Sequence, residues 1–214
     1  MFFTYGEKEL SYLRDRDKRL GSAIDRIGHI ERAVDSDLFS SVVHHIVGQQ
    51  ISTAAQATLW KRLHERLGSV TADTILALGR EELQAVGMTF KKADYILDFA
   101  GRVQSGAFDI AGLDGLSDGE IIRELSSLKG VGVWTAEMIM IFCMQRPDVV
   151  SFGDLAIQRG MRMLYRHKKI DRAKFEHCRR RYSPYGTVAS LYLWAVAGGA
   201  IPELTDPMPR RVTK

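Results

Sequence analysis

Two glycines and a distant aspartate are the residues of this 214-residue chain whose types and spacing best suit chemistry. Leu125-Ser-Ser-Leu-Lys-Gly-Val-Gly-Val-Trp-Thr-Ala-Glu-Met138 reads as helix, tight hairpin, helix, and Asp154 follows sixteen residues after Met138. Gly130 and Gly132 permit backbone conformations and close approaches denied to residues with a Cβ. The helix opening at Val133 and Trp134 has first amides without internal acceptors. With the positive end of the helix dipole they make an anion site of residues 130 to 135, suited to a DNA phosphate. A Gly-x-Gly alone is more often a plain corner between helices. Asp154 closes the loop Pro147 to Gly153 and precedes the helical run Leu155 to Arg166, the position of an N-cap. In a cleft, an ionised carboxylate can also stabilise positive charge growing on a sugar ring, or orient a water, as glycosyl transfer requires.

The elements that must position these residues are helical. Apolar residues recur at helical spacing, as in Leu38, Val42, Val43, Ile46, Val47 and again from Ala54 to Leu67, while strand-like alternation is nearly absent. Further helices are predicted at 72–78, 80–86, 91–105, 118–127, 133–144, 155–166, 172–182 and 184–197, with breaks mostly at glycines. The chain therefore reads as all-α, about nine to eleven helices. The segment 83–93 weakly echoes the hairpin plan, with Lys91 and Lys92 opening its second helix; a plain packing element explains it equally well.

Composition narrows the classes. With 45% hydrophobic residues the chain can fill a core. No apolar run approaches the ~20 residues of a membrane span, and the N-terminus lacks signal-peptide character, so an intracellular protein (cytoplasm or nucleoid, if bacterial) away from membranes is expected. Two cysteines, Cys143 and Cys178, exclude a disulfide scaffold and a four-cysteine iron–sulfur cluster. Net charge is only +4, but Arg159 to Arg181 holds ten Lys/Arg against Asp171 and Glu176, so that segment is +8 and the remainder −4. Such segregation fits a polyanion-facing surface, although a solvated helix face is the commoner origin of a charge run. His44 and His45 diverge around a helix and are not metal ligands.

Leu128-Lys-Gly-Val-Gly-Val-Trp-Thr-Ala136, with Gly153-Asp-Leu-Ala-Ile157 downstream, resembles the helix-hairpin-helix DNA glycosylase superfamily, in particular its 3-methyladenine DNA glycosylase II branch. Ile46-Val-Gly-Gln-Gln-Ile-Ser52 resembles the segment with which that family probes the DNA stack. Val86 to Ala93 is similar to its middle helical turn, and Pro184 to Trp194 to its penultimate helix. The likeness runs in order over roughly residues 10 to 200, and the chain looks like a minimal form without the N-terminal β-rich domain of larger relatives.

The resemblance implies two helical lobes flanking a DNA-binding cleft: an outer lobe of 1–36 plus 148–214, and a central lobe of 37–147 carrying the hairpin within 120–144. It implies that Asp154 is catalytic, supporting departure of the base through an oxocarbenium-like state, with water completing the reaction. Where the strand-cleaving branch has a Schiff-base lysine stands Trp134, so a monofunctional N-glycosyl hydrolase without lyase activity is implied. Trp134, Met138, Leu155 and Trp194 are the implied base pocket, suited to cationic alkylated purines such as 3-methyladenine and 7-methylguanine, whose stacking on aromatic rings gains ~0.5–2 kcal/mol. A Trp/Met stripe is otherwise ordinary core.

Gln49, Gln50, Lys129, Gly130, Val131, Gly132, Val133 and Thr135 are the implied DNA contacts, with Gln50 where relatives place an apolar wedge and Lys129 either a phosphate contact or a solvated residue. No cofactor is implied beyond a Na+ or K+ bridged by the carbonyls of Ser126, Leu128 and Val131. The expected partner is double-stranded DNA bearing damaged bases, bound by a monomer in base excision repair. A hypoxanthine glycosylase and a non-catalytic DNA-binding module remain alternatives, the latter favoured if Asp154 is sealed from solvent. Lys129 replaces a proline, Leu155 a tyrosine of some relatives, Met138 an aromatic, and Gly186 an arginine.

Overall fold

The computed structural model describes residues 1–208, so the end of the expected outer lobe, 209–214, lies outside the described residues. Eleven α-helices occur among them: α1 (Glu7–Arg16), α2 (Lys18–Ile27), α3 (Leu38–Gly48), α4 (Thr53–Leu67), α5 (Ala72–Ala85), α6 (Phe90–Gln104), α7 (Asp118–Ser126), α8 (Val133–Phe142), α9 (Leu155–Tyr165), α10 (Arg172–Tyr182) and α11 (Gly186–Ala197). A 3-10 turn, Ala111–Gly115, separates α6 from α7. The described residues form no sheet, only one isolated bridge between Phe2 and Ala33. None of their helices is long and apolar enough to cross a membrane.

Side-chain caps set many of the helix starts. Asp17, Asp37, Ser52, Thr71, Thr89, Asp154 and Asp171 each accept backbone amides of the helix that follows. These short acceptors satisfy donors that the first turn leaves without partners. The expected break between 78 and 80 appears inside α5, where Gly79 has φ 79° and interrupts the helix.

The chain divides into two compact units. One combines Met1–Val34 with the chain from Gln145 onward, and the other is Asp35–Met144. In the first, α9 and α11 pack through Ile157, Met161, Leu193 and Val196, together with Leu20 and Ile24 of α2. Their approach requires Gly160, because a Cβ there would lie 2.2 Å from the Leu193 carbonyl oxygen. Beneath them Asp17, 5% exposed, caps α2 with Oδ1 and accepts the Tyr165 hydroxyl (2.6 Å) and Arg181 Nε (2.8 Å) on Oδ2. The second unit is centred on Phe39 of α3, stacked on Phe99 of α6 at 4.8 Å between ring centroids. Leu63, Ile75, Leu125 and Ile139 extend that unit's buried apolar set.

Gly160→Ala is expected to lower stability by about 1–3 kcal/mol or more, as overpacking does, since the atom that must yield is backbone. The urea unfolding midpoint at unchanged slope reads this.

Candidate active site and nucleic-acid interface

Asp154 is both an N-cap and the acceptor of a side-chain donor. Its Oδ1 receives Ala156 N at 2.8 Å, Ile157 N at 2.9 Å and Trp194 Nε1 at 3.2 Å. The two amides belong to the first turn of α9, and the indole reaches down from α11. Three donors on one oxygen hold the carboxylate in one orientation. The residue is buried, at 7% exposure.

The loop bearing the acid is tied to the start of α11. Asp148 accepts Gly186 N at 3.0 Å and Ser183 Oγ at 2.7 Å. Val149 N donates to Thr187 Oγ1 at 3.0 Å, and Ser190 Oγ donates to Val149 O at 3.0 Å. Gln158 Nε2 holds Phe152 O at 2.6 Å. Gly186 is required by this packing: a Cβ would meet Asp148 Oδ1 at 2.6 Å and Val150 Cγ2 at 2.8 Å.

In the second unit the hairpin turns at Gly130, whose φ of 83° favours glycine and whose Cβ would strike the Tyr95 ring at 2.4 Å. Val131 N closes the turn on Leu128 O at 3.1 Å. Helix α8 then begins at Val133 with Gly132 as N-cap and no side-chain cap, unlike α9 or α10. Val133 and Trp134 are 55% and 47% exposed on that first turn. Among the described residues no side chain caps this first turn, the arrangement an anion can use.

The hairpin is braced by the turn after α3. Gln49 Nε2 donates to Gly130 O at 2.6 Å, and Lys92 Nζ donates to Val47 O and Gln49 O at 2.8 and 2.7 Å. An ammonium on carbonyls at the end of α3 answers the negative end of that helix. Partial burial lowers the Lys92 pKa. Next to Gln49, Gln50 adopts φ 57° and is exposed, as is Ile51.

A family pattern described as HhH-GPD superfamily base excision DNA repair protein matches residues 43–184, the larger part of the chain. The chain belongs to the HhH-GPD superfamily. It is 28% identical over 200 residues to DNA-3-methyladenine glycosylase 1 of Schizosaccharomyces pombe, covering 89% of this chain and 86% of that protein. A crystal structure of a DNA-3-methyladenine glycosidase from Bacillus halodurans is 32% identical and superposes with a TM-score of 0.85 over 95% of both chains. The Schizosaccharomyces pombe 3-methyladenine DNA glycosylase bound to abasic DNA is similar at TM-score 0.72 and 25% identity, over 88% of this chain and 95% of that one.

Within this HhH-GPD chain the expected residues have unequal settings. Asp154, Leu155 and Trp194 come together in the first unit, with Leu155 79% exposed. Trp194 was expected as a pocket aromatic, and its indole also grips the acid. In the second unit Met138 and Thr135 are 4% and 6% exposed, Met138 lying among the core residues of α8, so neither side chain presents surface comparable to Trp134. The Gln49 side chain is engaged with the hairpin, leaving Gln50 as the outward one of the pair. Lys129 is paired with Asp98 Oδ1 at 2.6 Å. Lys92 and Gln158 were not singled out as site residues; the echo at 83–93 marked Lys92, but only the fold reveals its acceptors.

Lys92→Met is expected to cost about 1.5–3 kcal/mol, the range for hydrogen bonds to a charged group. Amide exchange over residues 46–51 should accelerate selectively, which mass spectrometry of deuterated peptides reads.

Proposed function

We propose that this chain is a monofunctional DNA glycosylase that excises N-alkylated purines, 3-methyladenine and 7-methylguanine, from duplex DNA. The observation that carries this reading is the Asp154 carboxylate, held at the start of α9 by two amides and the Trp194 indole. As the N-glycosidic bond breaks, the base leaves with the bonding electrons and positive charge spreads over the sugar ring. The Asp154 carboxylate stabilises that charge, and a water adds to the anomeric carbon and loses a proton, leaving an abasic site. Alkylated purines carry positive charge and depart readily, so no strong general acid is demanded.

The remaining residues take separate roles. The exposed Trp134 indole supplies a face for a cationic base. Gln50, with Ile51 beside it, is the part of the α3–α4 turn that enters the space left by the extruded nucleotide, and the 130–135 backbone holds a phosphate. Carbonyls of Ser126, Leu128 and Val131 would hold a Na+ or K+ beside that phosphate. Among the described residues Ser126 Oγ is buried without a hydrogen-bond partner, so an oxygen of this turn other than the carbonyls is also available to such an ion. When bound, the ion adds positive charge next to the phosphate.

The burial of Asp154 and its capping bonds also suit a binding module without catalysis, and one substitution separates the two. Asn keeps an oxygen for the α9 amides and removes the charge. Asp154→Asn is expected to bind lesion-bearing duplex as the native chain does and to release base at least about a hundredfold more slowly, ~2.7 kcal/mol in the barrier. Unchanged release would sink the catalytic role of Asp154, and release of none of 3-methyladenine, 7-methylguanine or hypoxanthine by the native chain would favour the binding module. Release of hypoxanthine alone would reassign the lesion.

Trp134 cannot form an imine, so borohydride treatment during turnover is expected to trap no covalent protein–DNA adduct. Gel electrophoresis of labelled duplex checks this, and a trapped band would reinstate lyase chemistry.

A further inference from the structure

We propose that the first unit carries a second phosphate-binding site, a basic pocket where the α1–α2 junction meets α10. It is an open concavity of about 680 Å³ and shares no residue with the Asp154 cluster or the hairpin. Five permanent cations line it: Arg16 from the end of α1, Lys18 and Arg19 from the start of α2, and Lys174 and Arg181 from α10. His167 and His177 add two imidazoles, and Tyr165, Ala173 and Cys178 form a less polar part of the wall.

The pocket takes in two of the ten cations of the basic run that the sequence displays, Lys174 and Arg181. Lys174, His177 and Arg181 are three and four residues apart, so they share one face of α10, and folding places that face beside cations from the other end of the chain. The acids nearby do not neutralise the set. Asp17 already serves two α2 amides, Tyr165 and Arg181. Asp15 and Asp171 lie 3.8 and 3.6 Å from Lys18 and Lys174 as solvent-exposed surface pairs, which contribute little. Five cations thus line the concavity with one carboxylate, Asp17, which is bound to Arg181.

Like charges gathered in a concave wall repel one another unless an anion enters. A cavity of this volume suits a nucleotide-sized group rather than a single small ion. Guanidinium and ammonium donors around it match phosphate oxygens. The ligand class is therefore a phosphate-bearing group with two or more negative charges, supplied either by a nucleic-acid strand or by a free phosphate ester.

The test uses the full chain and the double variant Lys18→Gln/Lys174→Gln, whose altered side chains are exposed and hold no core. Pyrophosphate, followed by the His167 and His177 imidazole resonances, is expected to shift both, with affinity about tenfold weaker in the double variant. In the second arm a short undamaged duplex is titrated over a range of salt. A slope of log K against log salt reduced by about two in the variant identifies strand phosphates as the source, and an unchanged slope identifies a free phosphate ester. The proposal is overturned if neither probe perturbs the two histidines, or if the double variant matches the native chain in both arms.

Discussion

The contact of α9 with α11 at Gly160 is the constraint on which the first unit's chemistry rests. Because nothing but hydrogen projects from Gly160, the Leu193 carbonyl can approach it, and the next residue along α11 is Trp194. That approach brings the indole to Asp154, the cap of α9, six residues before the glycine. A larger residue at 160 would separate the helices and withdraw the third donor from Oδ1. Backbone packing thus determines the orientation of a carboxylate.

The second unit solves a different problem with the same economy of parts. A hairpin that presents bare amides must be stiff without having its helix start capped by a side chain. The stiffness comes from behind: Tyr95 fills the space beside Gly130, Gln49 holds the Gly130 carbonyl, and Lys92 fixes the turn from which Gln49 projects. Polar side chains that would be ordinary surface residues on an isolated helix act here as braces. The α8 start remains without a side-chain cap while the turn behind it is rigid.

Charge is organised on two levels. Arg162 forms a bidentate pair with Asp206 at 2.9 and 2.6 Å, and Arg181 is bound to Asp17, so part of the basic run serves the fold. Burial of the Asp17 end of this network raises the Tyr165 and Tyr182 phenols well above their usual pKa, keeping them neutral donors and acceptors. Lys174 of α10 is left to meet an anion, together with Arg16, Lys18 and Arg19 from the N-terminal helices, while Arg181 lines the same pocket bound to Asp17.

Helical periodicity, cap residues and glycine breaks were local properties, so the all-α fold and most helix boundaries could be read directly from the chain. The hairpin and the position of Asp154 before α9 were legible for the same reason: their geometry depends on neighbours within a few residues. What tertiary structure alone decided were pairings between distant positions: Trp194 with Asp154, Lys92 with the end of α3, Asp17 with Tyr165 and Arg181. A lysine or tryptophan carries no local mark of which carbonyl or carboxylate it will reach. Met138 illustrates the same limit, since its helical position placed it on a face with Trp134, and only packing showed that one is buried while the other is exposed. Periodicity assigns a residue to a face, whereas burial depends on what other elements cover that face.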